Sequence, residues 1–251
     1  MNQASLLEIE GFPREGAIFP VVSLDLPVEE GNHPWVVENR AEIAENWDEE
    51  VARNPALYDG RMVFQRRLRF AGGHIEGRAH MVPFSAFLYW RRNAHRKGGF
   101  HLFALPLVMS SDGVLIAIRM AETTANPGRV YCAAGSMDAL DVIGGRCDID
   151  VNMRREVLEE TGLDLEDAAA DPGYFGLHGL STVTIFRIFR FAMTADEIVG
   201  RIAAHIAADP EPEITNAVAI RNADPSAHDY AFFMPPILKW LFEDKLFEDK
   251  E

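Results

Sequence analysis

Residues 155–163 read REVLEETGL, and this nonapeptide constrains the fold more than any other stretch of the chain. It sets three carboxylates and an arginine on two helical turns that stop at a glycine. At about 3.6 residues per turn, Glu156 and Glu160 stand one above the other, with Glu159 displaced by about 60°. Carboxylates this close repel one another when ionised, and a hard divalent cation that prefers oxygen ligands relieves the repulsion. Arg155, four residues before Glu159, is placed to pair with it and fix its rotamer. Gly162 supplies the left-handed residue that ends many helices. Val151 and Leu158, seven apart, share another side, on which the helix is expected to anchor in a core. A Glu-rich helix of this kind standing alone reads as a solvated face. Its surroundings argue otherwise: FHLFALPLVM, an SSDG turn and VLIAIRM read as two strands, and a YCAAGS turn follows them before the helix.

Every fixed position in the second half of the Nudix box, GX5EX7REUXEEXGU with U aliphatic, is present in REVLEETGL, and the chain resembles the Nudix hydrolase family there. The resemblance implies an α+β fold, an α/β/α sandwich of Nudix type with an N-terminal α/β extension. It matches Glu156, Glu159 and Glu160 to the family's metal-binding glutamates and Arg155 to the arginine that orients them. The first half of the box departs from the pattern. Counting back from Arg155 puts Cys147 at the first Glu and Asp141 at the Gly. Taking Gly135 in YCAAGSMDALD as the box glycine instead puts Asp141 at the Glu position, with an insertion in or near VIGGRCD. Asp148 or Asp150 then either supplies the carboxylate or caps the helix; the sequence leaves that choice open.

What the resemblance implies for chemistry is hydrolysis of the diphosphate bond in a nucleoside diphosphate linked to another moiety, of UDP-sugar or ADP-ribose type. Mg²⁺, or Mn²⁺ in its place, is the implied cofactor, polarising the diphosphate and activating a water. The carbonyl of Ala134, just before the box glycine, is an implied further ligand, and Gly135 is expected to approach the substrate. A general base is also required. Glu211 and Glu213 in DPEPEI fall in a loop between an expected helix and an expected strand, and Glu213 is taken as the catalytic candidate; the plain alternative is two solvated acids in a proline-rich turn. A non-catalytic nucleotide-binding module on the same fold is the competing reading. Its usual mark is loss of box glutamates, and all three are present.

At 251 residues the chain exceeds one bare domain of this kind, so it divides by expectation into an extension, residues 1–97, that contributes to substrate binding, and a hydrolase domain, residues 98–251. The net charge of −15 argues against a grip on long nucleic acid. Two cysteines, Cys132 and Cys147, are too few for a secreted disulfide framework. With no basic-apolar leader and no apolar run long enough to span a bilayer, a soluble cytoplasmic enzyme without membrane partners is expected, its partner a small nucleotide derivative. A homodimer stays open.

Within the extension, residues 16–28 read as a strand or two, and residues 34–54 as a helix with Val36, Ile43, Trp47 and Val51 on one side. MVFQRRLRF and HIEGRAHMV form a hairpin with Gly72-Gly73 at its tip. Pro83 is expected in the first turn of a helix, FSAFLYWRRNAHRK, whose end carries Arg91, Arg92, His95, Arg96 and Lys97. Such cations complement a helix C-terminus; Arg91 and Arg92 are equally candidates for a substrate phosphate. The whole arrangement before the box resembles the extension of UDP-sugar pyrophosphatases. After the box, GYFGLHGL and STVTIFRIFRFAM read as strands, and TADEIVGRIAAHIAAD as a helix capped by Thr194 with Glu197. EPEITNAVAIR reads as a returning strand and PPILKWLFEDKLFEDKE as a terminal helix with a tandem LFEDK.

Overall fold

The computed structural model describes residues 9–93 and 97–245; His95, Arg96 and the second LFEDK copy lie outside the described residues. Two antiparallel strands, Arg61–Ala71 and His74–Pro83, pair so that Ala71 faces His74, leaving only Gly72 and Gly73 in the turn. Both have positive φ (58° and 85°), as a two-residue turn matched to strand twist requires. Short parallel strands, Ile9–Glu10 and Ser23–Asp25, flank this hairpin.

The larger sheet runs in the order Ile214–Ile220, Leu115–Met120, His101–Met109, Thr182–Arg190, Tyr174–Gly179, Ile18–Val21. Its central pair, His101–Met109 with Thr182–Arg190, is parallel and its other neighbours are antiparallel. Side-chain alternation assigns its two faces. Tyr174 and Arg187 both reach Asp150 of the helix Ile149–Thr161 (2.6 and 3.4 Å). Their strand neighbours Phe175 and Phe186, paired in register, pack instead on Trp240, one tilted and one edge-on, with ring centroids 4.6 and 5.2 Å away. Trp240 follows the helix Met234–Lys239, so helical segments cover both faces and the fold is a mixed α+β sandwich with added N-terminal strands and helices. The helix Ala195–Ala208 packs on the edge strand Ile214–Ile220 and against Ile149–Thr161; it opens on the Thr194 and Glu197 capping box expected from the sequence.

We label the helices α1 (Pro34–Glu38), α2 (Arg40–Arg53), α3 (Phe84–Arg92), α4 (Ile149–Thr161), α5 (Ala195–Ala208) and α6 (Met234–Lys239). Three expectations need correction. The single helix expected over residues 34–54 is two, because Asn39 leaves helical geometry and its side-chain Nδ2 bonds the Trp35 carbonyl at 2.7 Å, the same carbonyl its own backbone N–H uses. Pro83 ends a strand and caps α3 from outside instead of lying in its first turn, and α3 stops at Arg92. Leu158 does not anchor α4: it is 51% exposed, whereas Ile149, Met153 and Val157, spaced by four, are buried. The carboxylates at 156 and 160 therefore lie beside the buried stripe and not out in solvent.

The N-terminal segment shares structure with the rest. Ile18–Val21 is the outermost strand of the large sheet, and Gln65 of the hairpin pairs with Phe100. It also has a small core of its own, Ile43, Met62, Phe64, Val82 and Trp90 among its members. Both cysteines are unpaired, and among the described residues no helix is long and apolar enough to cross a membrane.

Candidate active site

Local signals build α4. Asp148 caps its start, accepting from the Val151 N–H at 3.0 Å, and Gly162 ends it in the left-handed region at φ 69°. The insertion before it forms a small hairpin, Val142–Ile143 with Arg146–Cys147, preceded by a turn, Ala139–Asp141. That turn delivers Asp141, fully buried, to Arg155: Nε and Nη2 donate to its two oxygens at 3.0 and 2.8 Å, and Asn152 Nδ2 donates at 2.9 Å. Arg155 then spreads to Glu156 (2.7 Å) and Glu159 (2.8 Å). Asp141 is thus the acid at the far end of the arginine, while Asp148 serves as cap and Asp150 turns to Tyr174 and Arg187. Cys147 is half-buried, its thiol pushed up to about 12 by burial and by the nearby Asp141 charge, so it stays protonated.

The YCAAGS segment lies directly against α4. A β-carbon on Gly135 would run into the carboxyl carbon and both oxygens of Glu156, so any side chain there must displace that carboxyl. Burial raises Glu156 to about 7, with Arg155 opposing the shift and Glu159 adding to it. Glu160 is also raised well above the ordinary carboxylate range, by burial first and then by Glu156 and Glu213, against a backbone hydrogen bond from Ala134. Its Oε2 is enclosed and has no hydrogen-bond partner. Glu159 is exposed.

Two hollows meet at this point, and Gly135, Glu156, Glu160 and Glu213 line both. One is an acidic groove of about 470 Å³ between α4 and the end of α5, where Glu211 and Asp209 also lie and where His205 Nε2 sits 2.9 Å from the Glu159 carbonyl oxygen. The other is a cavity of about 520 Å³ within the range of small-molecule sites. From the extension, Phe84, Phe87, Trp90 and Arg91 line it, and Ala134 lies at its acidic end. Arg91 donates to Asn126 Oδ1 and Ala125 O (2.9 and 3.1 Å). Arg92, expected to share a substrate phosphate with Arg91, turns away to Asn46, Glu49 and Glu50 of α2 and lines neither hollow. Sequence reasoning missed Asn126, Arg129 and Tyr131 on the cavity wall and the aromatic run Tyr230–Phe233 that closes it. The four-residue YAFF run was a visible signal; the others had none that is local.

These donors fit a divalent cation. Three glutamates are close together, two of them raised above the ordinary carboxylate range by burial and neighbouring carboxylates, and one offers an oxygen with no hydrogen-bond partner. Among the described residues, no three His, Cys, Asp or Glu side chains are already grouped as a cation cage. Arg155 occupies Glu156 and Glu159, so an ion would have to share them with the guanidinium.

No protein-family model matches the chain, and no curated protein matches it in sequence. Solved structures with a similar course include the MutT protein from Methanosarcina mazei Go1 (16% identity, TM-score 0.39, covering 61% of this chain and 96% of that one). Others are the Nudix hydrolase RenU from M. smegmatis (11%, 0.37, 60% and 84%) and an Ap4A hydrolase from C. elegans (11%, 0.39, 60% and 99%). Each of these likenesses spans about 60% of this chain.

Proposed function

We propose that the chain is a Nudix-type hydrolase that cleaves the diphosphate bond of a nucleoside diphosphate linked to a second moiety. The observation that carries this reading is the packing of the Gly135 backbone on the Glu156 carboxyl, beside the unpartnered Glu160 oxygen, where an acidic groove and an aromatic cavity join. Glu156, Glu159, Glu160 and the Ala134 carbonyl would hold Mg²⁺ or Mn²⁺. When bound, the ion supplies neutralisation of the diphosphate oxygens and acidification of water. Arg155, braced by Asp141, keeps Glu156 and Glu159 in place. Glu213, on the opposite wall from α4, takes the proton of the attacking water. The aromatic cavity receives the nucleoside by stacking, with Arg91 on its rim.

Residues 1–97 serve substrate choice in this reading and not the chemistry, since they supply cavity wall and none of the carboxylates. The test is a panel of nucleoside-diphosphate derivatives, UDP-sugars and ADP-ribose among them, incubated with Mg²⁺ or Mn²⁺ and resolved by product mass. We expect a nucleoside monophosphate and a phosphorylated second moiety, abolished by chelator. Binding without turnover across the whole panel with either metal would overturn the enzymatic reading.

A further inference from the structure

The cavity wall contains a hydrogen-bond chain whose direction follows from its chemistry. Arg91 Nη1 lies 2.9 Å from Asn126 Oδ1, and a guanidinium only donates, so this amide oxygen is the acceptor and the orientation of Asn126 is fixed. The other end of the amide, Nδ2, therefore faces Tyr131 and donates to its phenolic oxygen at 3.3 Å. A phenol that accepts this bond keeps its own O–H to donate elsewhere. Among the described residues, no hydrogen bond joins Tyr131 to Glu160 or Glu213, although burial and the charges of these two acids raise its pKa and keep the proton in place. Tyr131 is 6% exposed and lines the same cavity as Gly135 and Glu160. The O–H is thus directed away from Asn126, in a cavity whose wall Tyr131 shares with Glu160 and Glu213.

We infer that Tyr131 donates a hydrogen bond to a phosphate oxygen of the bound substrate, with Asn126 as the positioning residue that aims it and Arg91 fixing Asn126 in turn. The inference rests on the hydrolase reading and deepens it, since the diphosphate must reach the carboxylates beside Tyr131. It also changes the expected part of Arg91, from a phosphate ligand to the group that sets the polarity of the chain. A neutral donor suits this position: it meets the anionic substrate without forming an ion pair with Glu160 or Glu213.

The test is equilibrium binding of inorganic diphosphate with Mg²⁺, by calorimetry, which needs no knowledge of the nucleobase. Tyr131→Phe should weaken binding about tenfold, the loss of one hydrogen bond to a charged acceptor. Asn126→Asp keeps the shape and the Arg91 contact but replaces the donor with an acceptor that captures the phenolic proton. It should weaken binding as much as Tyr131→Phe, and add less than about twofold in the Tyr131→Phe background. If Asn126→Asp costs the same factor with or without the hydroxyl, its effect is charge repulsion and the aiming role falls. Wild-type binding that persists in Tyr131→Phe overturns the inference and leaves the hydrolase reading standing, whereas no binding by the wild type defeats both. Should Tyr131→Phe not fold, Asn126→Asp at wild-type affinity still overturns the inference.

Discussion

Two buried polar clusters, one in each half of the molecule, have the same formal defect and opposite surroundings. In the extension, His33 is 2% exposed with both ring nitrogens unpartnered, its ring 5.5 Å from that of His80 and 5.4 Å from Phe64. His80 is buried too, its Nε2 3.5 Å from Glu29, which Arg66 and Arg78 also engage. On α4, Glu160 carries an unpartnered oxygen beside Glu156. His33 avoids the cost of burial by staying neutral, and neither imidazole lines the aromatic cavity or the acidic groove. The glutamates lie where those two hollows join, close to others of the same sign. An orphaned buried atom therefore points to a ligand only where like charges gather on an open wall.

The largest effect that could break this contrast is on turnover. Glu160→Gln and Glu159→Gln each remove a negative oxygen while keeping volume, and each should lower kcat by on the order of 10²-fold or more. Folding should survive, and Glu160→Gln should raise the melting temperature without metal, because a carboxyl disfavoured by burial is gone. Two well-folded variants with wild-type turnover would show that the cluster is not a metal site. Gly135→Val should be as damaging, since its side chain must displace the Glu156 carboxyl, while Cys147→Ala should leave the rate within about twofold. Equal losses in these two would return Cys147 to the box. Arg155→Ala should cost about 10- to 100-fold, acting through the glutamates it orients.

How far the sequence could be read follows the range of the forces involved. The α4 helix was legible because its signals are local: a cap at Asp148, a stop at Gly162 and carboxylates three and four apart. The Gly72-Gly73 turn and the Thr194 capping box were legible for the same reason. Which face of α4 is buried was not, because Leu158 and Val157 are equally apolar and only the wall they meet decides between them. Asp141 remained one of several acids because its partners, Asn152 and Arg155, lie across an inserted hairpin. Arg91 and Arg92 are neighbours in the chain yet diverge, one to a loop 35 residues onward and the other to α2.

A smaller effect concerns metal and pH together. Glu156 is raised from 4.5 to about 7, so the folded state binds more protons than the unfolded one between those values. Its contribution to stability is present below about pH 4.5 and lost as pH rises through about 7, by up to about 3 kcal/mol. Mg²⁺ should stabilise the protein more at pH 8 than at pH 5, measured as the shift in melting temperature. A shift equal at both, or larger at pH 5, would mean that the ion binds away from Glu156.

The smallest effect on activity, and the sharpest on the comparison, comes from His33. Burial, then His80 and Arg66, lower it from 6.5 to about 4, so the unfolded chain binds the extra proton in that interval. The sign is therefore opposite to that of Glu156: stability from His33 is present above about pH 6.5 and lost as pH falls through about 4, again by up to about 3 kcal/mol. Between about pH 4.5 and 6.5 the slope from His33 opposes that from Glu156, to which Glu160 adds, and the metal-free wild type should lose less stability with rising pH there than a variant without His33. His33→Phe, which keeps a ring against Phe64 and removes the titration, should uncover the downward slope of the carboxylates with rising pH. Glu156→Gln should move the profile the other way, toward a rise with pH. At pH 8 turnover in His33→Phe should stay within about twofold of wild type, because His33 lines neither the aromatic cavity nor the acidic groove. Denaturant midpoints across this interval decide the matter: a His33→Phe profile with the wild-type slope means that His33 is not held neutral by burial, and a large loss of turnover means that the extension reaches the chemistry after all.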